Sequence, residues 1–214
     1  MQYSTQLKDK IAAIYAHSQS IGFDMQCDHE VANLCAVLAG QNQHLLELGT
    51  GTGLSTLFIT TGKSPNAVFD TVDISQEYST IAQKIIGKKD NVNFIVEDAG
   101  KFLARSQNLS YDFIFADAWP GKYSHLDHAL RVLKQNGIYI IDDLLPQSNW
   151  PKNHQFRVDA LLHFFQDSPD FSISYLNWAT GIALITKITT ATQIAISYKN
   201  HPEYGFLFSQ IALT

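Results

Sequence analysis

Leu46-Glu47-Leu48-Gly49-Thr50-Gly51-Thr52-Gly53-Leu54-Ser55 is the stretch on which the reading of this chain turns. An apolar run, Leu45 to Leu48, gives way to glycine at every second position. Glycine lets the backbone turn sharply out of a strand and lets a ligand come close to the main chain. Unpaired N–H groups at the start of the helix that follows favour a negatively charged ligand group. The dinucleotide fingerprint G-x-G-x-x-G is the obvious comparison, but Leu54 stands where its third glycine belongs. Glu47, two places before the first glycine, is a poor neighbour for a pyrophosphate and a suitable one for an ammonium or sulfonium. The alternative for the loop alone is a plain strand–helix turn.

Outward from this loop, continuous apolar runs recur at residues 68–74, 92–96, 111–116 and 138–141. They do not alternate, as strands buried on both faces do not. Helix-period segments lie between them. Tyr78, Ile81, Ala82, Ile85 and Ile86 share one face after Ser75, a capping residue, and Gly87 supplies the stop. Leu126, Ala129, Leu130 and Leu133 predict a second helix ending at Gly137. A third is predicted over residues 154–166, with Phe156, Leu161, Leu162 and Phe165 inward. The alternation predicts an α/β, Rossmann-like, doubly wound sheet. Residues 171–178 and 182–187, separated by Ala179-Thr180-Gly181, predict a hairpin, and hence a mixed sheet with an antiparallel strand near one edge. Two helices are expected before the core, over 5–18 and 29–39. The expected organisation is one domain over 1–187, with N-terminal helices in 1–40 and the sheet core in 45–187. Residues 188–214 follow as an extension, and Ile194, Ile196, Phe206, Phe208 and Ile211 suggest that it folds against something.

Composition narrows the function classes. Of 214 residues, 45% are hydrophobic and 16% charged, enough apolar material for a sizeable core. The formal net charge of −5 argues against a broad nucleic-acid or anionic-membrane surface. Two cysteines, Cys27 and Cys35, make no disulfide framework and fit a reducing compartment. With neither a signal-peptide core nor an 18-residue apolar run, a cytoplasmic location is the default expectation.

The polar residues at strand ends describe the ligand. Asp73 lies 20 residues after Gly53, the distance at which a carboxylate meets ribose hydroxyls. Glu97-Asp98-Ala99-Gly100 places polar groups beside the same crevice. Together they describe a pocket for a nucleoside with a charged amino-acid tail. Asp117 ends the fourth strand, and Asp142 and Asp143 end the fifth. Neighbouring strand ends open onto one crevice, so three mutually repelling carboxylates need a counter-charge. A hard divalent cation, Mg²⁺ or Ca²⁺, is the natural candidate. The alternative is a metal-free acceptor pocket in which Asp142 and Asp143 cap a loop.

With these residues in place, the chain resembles the class I S-adenosylmethionine-dependent methyltransferases, and among them the catechol O-methyltransferase-like group. The resemblance runs from about Met25 to Lys187. It is carried by the glycine stretch, by Val72-Asp73-Ile74, by Tyr111 through Tyr123, and by Asn136 through Asp143. It implies a seven-stranded sheet with one antiparallel strand. It implies a cofactor site in which Met25 and Cys27 line the methionine part. Gly49, Gly51, Gly53 and Ser55 hold the amino-acid end near Glu47. Asp73 takes the ribose, Asp98 and Ala99 border the adenine, and Asp117 and Trp119 complete the pocket. It implies a magnesium site at Asp117, Asp142 and Asp143, the third position being Asn in that group. The group also carries a base lysine three residues after its first metal aspartate. Pro120 occupies that position here, and Lys122 follows as either a displaced base or a solvated loop lysine. His125, His154, or Asp117 and Asp143 themselves are the other candidate bases.

The expected activity is methyl transfer to a small-molecule hydroxyl. Phe23, Trp119, Tyr123 and Trp150 fit a flat or aromatic acceptor, and equally a homodimer contact. A cofactor-binding subunit without catalysis and an NAD oxidoreductase are the competing readings.

Overall fold

The computed structural model describes residues 3–147, 150–194 and 196–209, in two compact units, Met1–Asp98 and Ala99–Thr214. The first unit contains α1 (Thr5–Ser20), α2 (His29–Ala39), β1 (His44–Leu48), α3 (Leu54–Gly62), β2 (Val68–Asp73), α4 (Gln76–Ile86) and β3 (Val92–Val96). The second contains α5 (Ala99–Arg105), β4 (Tyr111–Ala116), α6 (Leu126–Val132), β5 (Leu133–Ile141), α7 (His154–Asp167), β6 (Phe171–Leu176), β7 (Ile182–Lys187) and α8 (Ile196–Lys199). The strands make a seven-stranded mixed sheet in the order β3-β2-β1-β4-β5-β7-β6. β7 runs antiparallel to both β5 and β6, one strand in from the edge, as the hairpin reading expected.

In the first unit, β1 and β3 flank β2 in parallel register, with Leu48 opposite Val72 and Val72 opposite Ile95. Ile14, Ala32, Leu54, Leu57, Phe58, Ala82 and Ile86 form a core shared by all four helices. α4 begins where the Ser75 hydroxyl accepts the Tyr78 N–H and ends at Gly87, φ 79°, as its sequence predicted. α2 and α3 approach so closely that a Cβ on Gly62 would lie 2.1 Å from the Ala36 carbonyl oxygen, so only glycine fits there.

The second unit departs from the sequence reading twice. The helix expected to run to Gly137 stops at Val132, and Leu133 already belongs to β5. The β4–β5 register jumps from Tyr111↔Leu133 to Phe113↔Ile138, absorbing extra residues in a bulge where Asn136 takes φ 62°. Leu133 fits a helical period and a strand equally well, and the sheet claims it. On α7, Phe156 faces outward at 56% exposure, whereas Val158, Leu161, Phe164 and Phe165 are buried. Phe156 stacks on Phe206 instead.

The described part of the extension is folded: Tyr204, Leu207 and Phe208 are buried, and Phe164 packs against Tyr204 and Phe208. Its anchor is Asp127, 6% exposed in the first turn of α6. That carboxylate accepts the Lys199 ammonium, the Ser209 N–H at 2.9 Å and the Ser209 hydroxyl. Ile211 and the side chain of Ile196 lie outside the described residues. Among the described residues, no helix is long and apolar enough to cross a membrane.

Candidate active site

In the first unit, β1 ends in a loop that only glycines can trace. Gly49, Gly51 and Gly53 have φ of 104°, 50° and 100°. A Cβ on Gly53 would also lie 2.7 Å from that of Ala82. Asp73, at the end of β2, holds the loop: its Oδ2 accepts the Gly51 N–H at 2.8 Å and its Oδ1 the Ser75 N–H at 2.7 Å. A carboxylate offers about four acceptor positions, so both oxygens keep capacity for hydroxyl donors.

Glu47 lies fully buried beneath this loop. The Thr56 and Thr71 hydroxyls both donate to its Oε2 at 2.5 Å, and Thr71 also bonds Thr50 at 2.6 Å. Oε1 has no hydrogen-bond partner. Burial pushes the Glu47 carboxyl up to about 7, against the pull of the Ser55, Thr56 and Thr71 hydroxyls. Ser55 is buried in the first turn of α3.

The segment between α1 and α2 covers the loop through residues the sequence did not single out for this role. Gln26 Oε1 accepts the Thr52 hydroxyl at 2.7 Å and the Ser18 hydroxyl at 3.0 Å. The Phe23 ring sits so close over Gly51 that a Cβ there would be 3.0 Å from its Cζ. It packs edge-on to Tyr78, on the glycine-loop side. Met25 is 66% exposed, and Cys27 is half-buried with its thiol directed to the Asp28 carbonyl. Asp98 is half-buried after β3, and Ala99 is buried at the start of α5.

In the second unit, Asp117 follows β4, and Asp142 and Asp143 follow β5. Carboxylate oxygens of Asp117 and Asp142 lie within 4.8 Å of each other. Asp142 is 1% exposed; its Oδ1 accepts the Asp143 N–H at 2.8 Å and the Thr180 hydroxyl. Thr180 is positioned because the β6–β7 loop pairs with the chain after β5, Leu144 N–H to the Gly181 carbonyl and Leu145 N–H to that of Thr180. Burial and the neighbouring Asp143 push the Asp142 carboxyl up to about 6, with Thr180 and Lys122 opposing.

Lys122 is 4% exposed, and so is no solvated loop lysine. A tight turn sends it inward. Lys122 and Tyr123 N–H groups both return to the Trp119 carbonyl, and Gly121, φ 93°, donates to that of Ser124. Its Nζ lies 3.8 Å from Asp117 Oδ1 and 3.8 Å from Asp143 Oδ2, and donates to the Asp142 carbonyl at 3.1 Å. Burial works against its charge, but Asp117 and Asp143 outweigh it and hold the ammonium above its ordinary pKa.

Beside this cluster stands an aromatic group. His154, 8% exposed, packs against Trp150, Tyr123 and Trp119 at ring separations of 4.1, 4.9 and 5.6 Å. Both of its ring nitrogens lack hydrogen-bond partners. Burial, then the Lys122 charge, lowers its pKa and keeps the ring neutral. Trp119 is 43% exposed, with the Arg157 guanidinium over its face.

Residues 4–188 match the model of a family described as O-methyltransferase. A malonyl-[acyl-carrier protein] O-methyltransferase of Ilyobacter polytropus is 34% identical over 174 residues, covering 79% of this chain and 59% of that protein. The chain spans about half the length of other curated relatives it matches. Among solved structures, the O-methyltransferase from Bacillus cereus in complex with SAH superposes with a TM-score of 0.72 at 16% identity, over 87% of this chain and 92% of that one. TomG from Streptomyces achromogenes, in complex with SAM, gives 0.73 at 17% identity, over 88% and 92%.

Proposed function

This chain belongs to the O-methyltransferase family, and from that premise we propose that it transfers a methyl group from S-adenosylmethionine (SAM) to the hydroxyl of a small, flat acceptor. The observation that carries the reading is the orphaned Oε1 of Glu47, a buried carboxylate oxygen beneath a glycine loop. Thr56 and Thr71 satisfy only the other oxygen, Oε2, so ionised Glu47 stays under-compensated, and a ligand bearing ammonium and sulfonium charges relieves it. The glycine loop and Ser55 hold the amino-acid end of such a ligand, and Asp73 has acceptor capacity left for two ribose hydroxyls. Asp98 and Ala99 border the base.

When bound, the donor supplies an electrophilic sulfonium methyl: the acceptor oxygen forms a C–O bond as the C–S bond breaks, its electron pair going to sulfur. The chain's own task is to orient the acceptor and remove its hydroxyl proton. Half-buried Trp150 and the 43% exposed Trp119 offer flat apolar surface for the acceptor, with Tyr123 buried behind Trp119. His154, neutral and with both nitrogens unpartnered, takes the proton. Lys122, held protonated by its carboxylates, is not the base. Three carboxylates against one ammonium favour a neutral acceptor over an anionic one. The set Asp117, Asp142 and Asp143 fits a divalent cation poorly, because the Lys122 ammonium already lies among these groups and Asp142 Oδ1 is committed to Thr180 and the Asp143 N–H.

The test pairs calorimetry with a transfer assay. S-adenosylhomocysteine (SAH) is expected to bind, NAD to remain silent, and labelled methyl from SAM to reach at least one acceptor in a panel of phenols and hydroxylated heteroaromatics. NAD binding without SAH binding refutes the reading. SAH binding with no turnover across the panel assigns the chain instead to cofactor binding without catalysis.

A further inference from the structure

We propose that the Lys122 ammonium holds the place of a divalent cation among Asp117, Asp142 and Asp143, so that this chain works without a bound metal. The inference rests on the methyl-transfer reading for its catalytic meaning, but its geometry is independent of the acceptor. Carboxylates drawn together at strand ends need positive charge between them. A hard cation would supply it by gathering six or more oxygen ligands around itself. Lys122 Nζ instead lies 3.8 Å from both Asp117 Oδ1 and Asp143 Oδ2, and hydrogen-bonds the Asp142 carbonyl at 3.1 Å.

Lys122 is packed into this position. Its side chain is 5% exposed. Its backbone is fixed by the turn from Trp119 to Ser124, which the Tyr139 hydroxyl ties down by donating to the Gly121 carbonyl at 2.5 Å. An entering cation would share the oxygens that already face the ammonium and would meet a like charge beside it. Asp142 is a weak ligand in any case, since Thr180 and the Asp143 N–H occupy its Oδ1. Lys122 therefore acts as a positioning residue. It keeps the carboxylates together and sets the charge beside the Tyr123–His154 group without touching the reacting atoms.

Mn²⁺ is the probe, followed by electron paramagnetic resonance on the full chain with SAH present. The wild-type chain is expected to leave the free Mn²⁺ signal unchanged, and transfer in EDTA to stay within about twofold of transfer with Mg²⁺. Lys122→Met, which removes the charge and keeps the length, is expected to take up Mn²⁺, and Asp117→Asn added to it to release the ion. Mn²⁺ uptake by the wild-type chain that Asp117→Asn abolishes overturns the proposal. So does a loss of about tenfold or more in EDTA that Mg²⁺ restores. A folded Lys122→Met chain that still ignores Mn²⁺ also overturns it. If that variant does not fold, the wild-type titration decides alone. If no acceptor is ever methylated, the methyl-transfer reading fails while the Mn²⁺ titration still decides this one.

Discussion

Glu47 in the first unit and the Asp117–Asp142–Asp143 cluster in the second solve one electrostatic problem in opposite ways. Both bury carboxylates. Glu47 is met by the hydroxyls of Thr56 and Thr71, keeps one oxygen unpartnered, and drifts towards its protonated form. The aspartates are met by a buried lysine from the chain itself. The contrast teaches where each half expects its positive charge to come from. Around Glu47 it is to arrive with a ligand, and around the aspartates it is built in.

Four measurements can break or sharpen that contrast. The largest effect is expected from Lys122→Ala, which strands Asp142 and the mostly buried Asp117, while Asp143 stays partly solvated, and should cost about 3 kcal/mol in urea unfolding at neutral pH. The cost should shrink as the pH falls through about 6, where Asp142 takes up a proton. A loss below about 1 kcal/mol would remove the lysine from its central role.

Next is Glu47→Gln. Glu47 titrates near 7 in the fold against an ordinary value of 4.5. Its proton therefore favours folding below the unfolded value, and that stability is lost as the pH rises through about 7. At pH 8 the wild-type chain should carry a penalty of roughly 3 kcal/mol that the glutamine variant escapes, so the two stability–pH curves should diverge from acid to base. Parallel curves would contradict the buried, cation-poor setting of Glu47.

Asp73→Ala should weaken SAH binding by about 1–3 kcal/mol, since it removes an acceptor for the ligand and the tie to the Gly51 and Ser75 N–H groups. An unchanged dissociation constant would misplace the sugar. The smallest signal is a proton count. Cationic donor binding should expel about half a proton from Glu47 near neutral pH, read as a buffer-dependent binding enthalpy and absent in Glu47→Gln.

The glycine-loop half was the more legible from sequence because its parts are local. Glycines at alternate positions, and a carboxylate one strand further on, state their geometry in their spacing. The β6–β7 hairpin was equally plain from the short gap at residues 179–181. The aspartate half was not, because Lys122 could point either way out of its loop. The turn at Gly121 and the convergence of carboxylates from the ends of two different strands decide the direction, and neither leaves a periodic mark. Gln26 escaped, and Phe23 was read only as an acceptor contact, for the same reason: both sit in an aperiodic segment where contact with Thr52 and Gly51 gives them their place. Leu133 misled because its apolar character suits helix and strand alike, and Phe156 because its partner is Phe206 from the distant extension, whereas Leu161 and Phe165 are buried as expected.

The family match stops at residue 188, yet Asp127 reaches past it to Lys199 and Ser209. Kinship and cooperative folding therefore have different borders in this molecule. Trimming the chain to its matched region would leave a nearly sealed carboxylate at the head of α6 stripped of three donors. Acid should loosen the same fastening, because those donors hold the Asp127 pKa below its usual value and their grip lapses once it is protonated.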